Sequence, residues 1–418
     1  MAQLHKKFTD NEVKELIERY LKKELGRRYL QKILDIGKVR FFALIKNYRN
    51  APDLFSIQYA RKIKTRKIQP GIEENIIKEL KIEKELIDNK EVPLKSYNYT
   101  YIKDRLETEY QQKVSLPTII NRAKNNGFYL EKKPKKSTHD RQVLTNYAGE
   151  LIQHDCSYHL WSPPAKEKWY LITSLDDFSR FILYAALLKK ETSWAHILAA
   201  QTVILQYGSP LSYYVDNHSI FRFVQERDSL YRKHHLLTDE VDPQWKQVMN
   251  DCNVKVTYAS SPQAKGKIER PYAWLQDRLV RTCVRENVTD IKIAQHLLLK
   301  ELHRYNYRQI HSTTQEVPYL RFQNALKNKQ SLFRDFKVKL PYLSVKDIFC
   351  LRINRTVDAY RKISINNLQI KVNANPRETV NLRISPIDND ILEIRFWCND
   401  KLIDAQRIKH TDLKSVHF

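Results

Sequence analysis

Leu151-Ile152-Gln153-His154-Asp155-Cys156-Ser157-Tyr158 places an acid in the middle of a strand-like run. A strand interior is an uncommon position for a carboxylate unless it has a partner. Asp155 is therefore the point from which the fold is read. Residues 151–160, 169–175 and 181–188 read as three successive strands, and 192–207 as a helix closed by Gly208. Strands over 211–215 and 254–259 follow, then helices over about 265–286 and 291–307. This order of strands and helices predicts a mixed α/β sheet rather than a helical bundle.

The chain has 48 acids, so position has to select among them. Asp216 follows the apolar run Tyr213-Tyr214-Val215 and precedes Asn217. That puts it at the C-terminal end of a strand, where open α/β sheets hold their sites. Glu269 lies in Ser261-Pro262-Gln263-Ala264-Lys265-Gly266-Lys267-Ile268-Glu269-Arg270, near a helix start, where the helix dipole favours a carboxylate. Lys265, Lys267 and Arg270 are odd company for an acid unless a phosphodiester lies there. Mg²⁺ takes oxygen ligands and keeps several waters, so one or two carboxylates per ion suffice. Two ions can clamp the attacking and leaving oxygens of a phosphoryl displacement. In that arrangement Asp155 bridges the ions, Asp216 and Glu269 each hold one, and Mn²⁺ can substitute. Spacing alone leaves structural acids as the alternative. Asp176 and Asp177 fall at a turn between strands and read as structural; Trp194, Trp245 and Trp274 read as core or interface.

The flanks have a different grammar. Val13, Leu16, Ile17, Tyr20 and Leu21 form a stripe of helical period. After Asp35-Ile36-Gly37 a second helix carries Lys38, Arg40, Lys46 and Arg49, with Phe41, Phe42, Leu44 and Ile45 between them. This is the organisation of a helix-turn-helix, whose second helix enters the major groove; an ordinary hairpin with solvated lysines is the alternative. Residues 72–130 repeat the theme. Ser115 is an N-cap, Pro117 fits the first turn and Gly127 closes the helix. Arg122 and Lys124 can face out, and Phe128-Tyr129-Leu130 suggests a short strand or wing. Lys132, Lys133, Lys135 and Lys136 make a basic linker that is either simply solvated or also touches phosphates. Residues 342–418 turn to period-two alternation with turn pairs such as Asn366-Asn367, which fits a small β-barrel. The expected division is 1–70 and 71–130 as two helix-turn-helix units (all-α, the second winged), 131–147 linker, 148–325 α/β core, 326–341 linker, and 342–418 barrel.

Lys plus Arg is 73 against 48 acids, a net charge of +25, and a polyanion is the usual answer to such a surplus. No run has the apolar length of a membrane span, and the N-terminus has no secretory pattern, so a cytoplasmic protein without a membrane partner is expected. Five scattered cysteines argue against a disulfide framework or a zinc ribbon.

Four segments together resemble the catalytic core of the DDE transposase and retroviral integrase superfamily. They are Gln153-His154-Asp155-Cys156-Ser157, Leu175-Asp176-Asp177-Phe178-Ser179-Arg180-Phe181, Val215-Asp216-Asn217-His218-Ser219-Ile220-Phe221, and 261–270 with Leu275-Gln276-Asp277-Arg278-Leu279. The last is especially similar to bacterial insertion-sequence transposases. The resemblance implies an RNase H-like core, an acid triad at Asp155, Asp216 and Glu269, and transfer of a freed 3′-hydroxyl to target DNA. It also implies transposon-end and target DNA as partners, a homo-oligomer, and a bacterial, nucleoid-associated location; a helper ATPase is an open partner. Two features depart from the pattern. Asn217-His218 stands where the family often has Asn-Gly, and the acids at 216 and 269 are separated by a polar insertion, about 222–244, that includes Arg222, Arg227, Arg232, Lys233, His234 and His235. The competing readings are a catalytically silent, transposase-derived DNA-binding regulator and a structure-selective RNase H-like nuclease.

Overall fold

The computed structural model describes residues 4–58, 68–131, 145–216, 220–221, 243–259, 266–365, 368–388 and 390–413, and for 266–269 the backbone only. Lys132, Lys133, Lys135, Lys136, His218, Lys265, Asn366, Asn367 and the bulk of the insertion lie outside the described residues.

Strands Ile152–His159 (β1), Trp169–Asp176 (β2) and Ile182–Leu188 (β3) form an antiparallel meander. Ser212–Val215 (β4) joins β1 in parallel, and Lys255–Tyr258 (β5) joins β4 in parallel, giving the order β3-β2-β1-β4-β5. The β2–β3 turn is built by its acids. Asp176 accepts from the Gly149 and Ser179 amides at 2.8 and 2.9 Å, and Asp177 accepts from Gln153, Thr145 and Arg180. Burial pushes the Asp176 carboxyl up to about 6, against the hydrogen bonds from Ser179 and Gly149.

Parallel strands need crossovers, and here helices supply them. Ser193–Tyr207 (α7) is capped by the Thr192 side chain and stops at Gly208, whose φ is +99°. With Gln244–Asp251 (α8) it covers one face of the sheet through Ile197, Val203, Trp245 and Val248. Gly266–Arg285 (α9) and Ile291–Tyr307 (α10) cover the other, where Leu275, Leu279 and Leu298 pack on Trp169, Leu171 and Leu175.

Upstream, Met1–Glu73 is a compact unit of its own. Asp10–Leu21 (α1), Arg27–Leu34 (α2) and Lys38–Asn50 (α3) enclose Val13, Ile17, Leu30, Leu34, Phe41 and Ile45. Thr9 and Glu12 form a capping box at the start of α1, and Asp35 makes the left-handed step after α2 at φ 54°.

The second unit begins within Pro70–Asp88 (α4) and continues through Tyr99–Glu109 (α5) and Leu116–Asn125 (α6), the last capped by Ser115 with Pro117 in its first turn. These helices join α9 and α10 through buried charge. Arg281 pairs with Glu83, both fully buried, and with Asp277 at 2.7 Å, and donates to the Ser96 carbonyl at 2.5 Å. Arg278 bonds Glu301 and Asp104, each at 2.7 Å, and Arg285 bonds Glu79 at 2.7 Å. Burial pushes Glu83 up to about 7 despite Arg281 and Arg285.

Two expectations need correction. No strand forms at 128–130. The segment has no partner strand, and its rings pack instead: Phe128 on Tyr97, and Tyr129 stacked on Tyr99, whose hydroxyl donates to the Phe128 carbonyl. The expected barrel is not closed either. Leu351–Thr356 (β6), Thr379–Pro386 (β9), Ile391–Cys398 (β10) and Lys401–Lys409 (β11) make an open antiparallel sheet, β11-β10-β9-β6, beside a ribbon of Lys362–Ile365 (β7) and Leu368–Lys371 (β8). Period-two alternation fixes which face is buried and says nothing of whether the edge strands meet. Between the two sheets, the Ala148 amide donates to the Gln330 carbonyl at 3.1 Å, and Ser209 and Arg334 exchange backbone bonds.

Candidate active site

Successive residues of β1 point to opposite faces of the sheet. His154 faces α7 and α8, stacking on Trp245 and bonding His196 at 2.8 Å. Asp155 and Ser157 belong to the face covered by α9. There the Tyr272 hydroxyl donates to the Asp155 carbonyl at 2.7 Å and accepts from Thr173 at 2.8 Å, while Gln276 donates to Ser157 at 3.4 Å.

The β1–β4 register pairs Ile152 with Tyr213 and Gln153 with Tyr214. Carried two residues further, it brings Asp216 level with Asp155 on the adjoining strand, and neighbouring strands lie about 4.8 Å apart. Both acids are half-buried. The neighbouring thiol is affected by the local charge: burial pushes Cys156 far up, reinforced by the charges of Glu191, Asp155 and Asp216. Tyr272 is raised by burial first and then by Asp155.

Glu191 is the residue that sequence reasoning missed. It bonds His196 Nε2 at 3.0 Å, extending a buried chain of Ser174, His154 and His196. In the sequence it sits in Lys189-Lys190-Glu191-Thr192, which reads as polar lead-in to a helix cap. The only signal was its place directly after a core strand.

Glu269 lies in the first turn of α9, its side chain outside the described atoms, as is that of Lys267. Position 269 precedes Tyr272 and Gln276 by three and seven residues, the spacing of one helix face. Among the described residues no group of three His, Cys, Asp or Glu side chains is placed to hold a metal ion. Lys38, Arg40, Lys46 and Arg49 are exposed on α3. Lys124 is exposed and lies over the Tyr129 ring at 4.8 Å, while Arg122 on the same helix is half-buried. Arg270 donates to Thr313 at 2.7 Å. All five cysteines are free thiols. No helix among the described residues is long and apolar enough to cross a membrane.

A five-stranded mixed sheet with helices on both faces, one acid inside its central strand and a second directly after the adjoining parallel strand, defines an α/β domain. The chain is similar to bacterial insertion-sequence transposases. It is 25% identical over 262 residues to a protein of Sinorhizobium fredii (strain NBRC 101917 / NGR234) described as a transposase, covering 63% of this chain and 52% of that one. It is 29% identical over 173 residues to the transposase for insertion sequence IS1202 of Streptococcus pneumoniae, covering 41% of this chain and 35% of that one. The chain thus spans about half the length of the first relative and about a third of the second. No family model matches. Solved structures with some likeness include a simian T-cell lymphotropic virus intasome bound to a PP2A regulatory subunit (TM-score 0.32, 13% identity, 72% of this chain, 97% of that chain). Another is the HTLV-2 integrase catalytic core with magnesium (TM-score 0.29, 20% identity, 43% of this chain, 98% of that chain).

Proposed function

We propose that this chain is a DDE-type DNA transposase that cuts at the ends of its element and joins the freed 3′-hydroxyl to target DNA. The observation that supports the reading is the parallel pairing of β1 with β4, whose register, carried forward, sets Asp155 within β1 beside Asp216 directly after β4. Half-buried carboxylates on rigid strands are the hard oxygen donors that Mg²⁺ selects, and Mn²⁺ fits the same set. Asp155, Asp216 and Glu269 would hold the divalent ions, and Glu191, whose charge also acts on Cys156, would add negative charge to the site. When bound, the ions stabilise the attacking and leaving oxygens of an in-line displacement at phosphorus. The reaction proceeds in two displacements. Water first replaces the 3′ oxygen at the element end; that 3′-hydroxyl then attacks a target phosphodiester, forming one P–O bond as another breaks.

The chain's own residues bind and orient the DNA. Lys38, Arg40, Lys46 and Arg49 on α3, and Arg122 and Lys124 on α6, hold end DNA as two helix-turn-helix units. The lysines at 132, 133, 135 and 136 track phosphates, and Lys265, Lys267 and Arg270 lie beside the scissile bond. Two ends have to be held together, which calls for a homo-oligomer. The test is to incubate the protein and Mg²⁺ with a plasmid carrying the gene's flanking DNA, with Glu269→Gln in parallel. Metal-dependent nicks at discrete flanking sites, absent in the variant, support the reading. Site-specific binding without cleavage in either metal supports the silent regulator instead.

A further inference from the structure

The solvent face of α3 is not uniformly polar. Val39 is 87% exposed and Phe42 44% exposed, and Ala43 beside them is also exposed. Asn47 follows on the same stripe, since 39, 42, 43, 46 and 47 repeat at helical spacing. The opposite face is buried through Phe41 and Ile45, and Phe42 is braced edge-on against the Phe41 ring at 5.5 Å. The apolar group is therefore not a frayed edge of the core. It is a separate patch rimmed by the exposed cations Lys38, Arg40, Lys46 and Arg49.

A cationic rim fits a polyanion, and an apolar centre within it needs an apolar group on that polyanion. In duplex DNA the major groove offers one, the 5-methyl of thymine; the adenine paired with it presents the donor and acceptor that an asparagine amide matches. A helix-turn-helix reads bases with the first residues of its second helix, and Val39 lies in the first turn of α3. We propose that α3 reads A·T pairs in the major groove of the element end, with Val39, Phe42 and Ala43 against thymine methyls and Asn47 on adenine. The inference rests on the DNA-binding part of the proposed function and adds which base is read and by which side chains.

The test uses the full chain and a duplex of the element end, in which the thymines protected by the protein are located by footprinting. Each is then replaced by deoxyuridine, which removes the methyl and keeps the pairing edge. One buried methyl corresponds to about a fourfold change in affinity. At two or more protected thymines, loss of about that size per methyl is expected with the wild-type chain. With Val39→Ser, at a position 87% exposed, the loss is expected to disappear at the thymine that Val39 contacts and to persist at the others, and with Phe42→Ser it is expected to disappear at the one that Phe42 contacts. Unchanged affinity for the deoxyuridine duplex, or an equal loss in wild type and variants, overturns the assignment while leaving DNA binding intact. Absence of any end-specific binding overturns the DNA-binding reading with it. Unaltered DNA binding with a changed oligomeric state in the variants assigns the patch to a second copy of the chain and also overturns the proposal.

Discussion

Replacing Arg281 with methionine removes the centre of the charge cluster that ties α4 and α5 to α9. The guanidinium is fully buried, paired with Glu83 and Asp277, and bonded to the Ser96 carbonyl. Methionine keeps much of the volume and none of the charge, leaving Glu83 with Arg285 at 3.9 Å as its remaining cation. Removing one partner of a buried pair costs about 3–5 kcal/mol, because the other charge stays buried and uncompensated. The pH dependence follows from Glu83, which burial raises from 4.5 to about 7. A carboxyl with a raised folded value contributes stability below its unfolded value and loses that contribution as pH rises through the folded one. Without Arg281 the folded value climbs further, so the variant's deficit against wild type is smaller at pH 5.5, where Glu83 is protonated in both, and larger at pH 8. Urea unfolding followed by tryptophan fluorescence at the two pH values reads this directly. The double variant Arg281→Met with Glu83→Leu is expected to recover most of the loss. A deficit under about 1 kcal/mol at pH 8, or the same deficit at both pH values, would refute the reasoning.

Three further outcomes follow from the packing. Gly208→Ala places a Cβ 2.7 Å from the Arg334 carbonyl at φ +99°, so a loss of about 1–3 kcal/mol is expected, and an unchanged urea midpoint would contradict it. Asp176→Asn removes a carboxyl that burial holds near 6; its stability relative to wild type should improve by a few kcal/mol from pH 4 to pH 8, because the wild type loses the Asp176 contribution over that range. A flat difference would show that Asp176 ionises as in the unfolded chain. Tyr272→Phe removes the donor to the Asp155 carbonyl and the acceptor of the Thr173 hydroxyl, at a cost of about 1–3 kcal/mol in thermal or urea unfolding; DNA affinity should not move.

Local signals were legible wherever one residue type carries a local task. Ser115, Pro117 and Thr192 announced helix starts and Gly208 a helix stop, and the structure has them in those roles. The mixed sheet was legible because β2 and β3 are short and mainly apolar. The arginines of α9 were not, because their partners are far away in the chain. Arg281 meets Glu83 198 positions upstream, and a run of charge on a helix otherwise reads as a solvated face. Glu191 was hidden for the same reason: its neighbours come from β1 and α7, and its own tripeptide resembles a cap. Period-two alternation at the C-terminus gave the strands and their buried face, while the choice between closed barrel and open sheet depends on edge pairing that alternation does not encode.

The central claim is strand transfer at Asp155, Asp216 and Glu269, and joining a pre-cut end measures it without the preceding cleavage. A labelled duplex of the element end carrying a 3′-hydroxyl is incubated with supercoiled plasmid and Mg²⁺. The account predicts labelled plasmid with the wild-type chain and none when the end carries a 3′-deoxy terminus. It also predicts none with Asp155→Asn, Asp216→Asn or Glu269→Gln, all three of which still bind the end. Joining that survives any of the three substitutions, or that proceeds from the 3′-deoxy end, would contradict it.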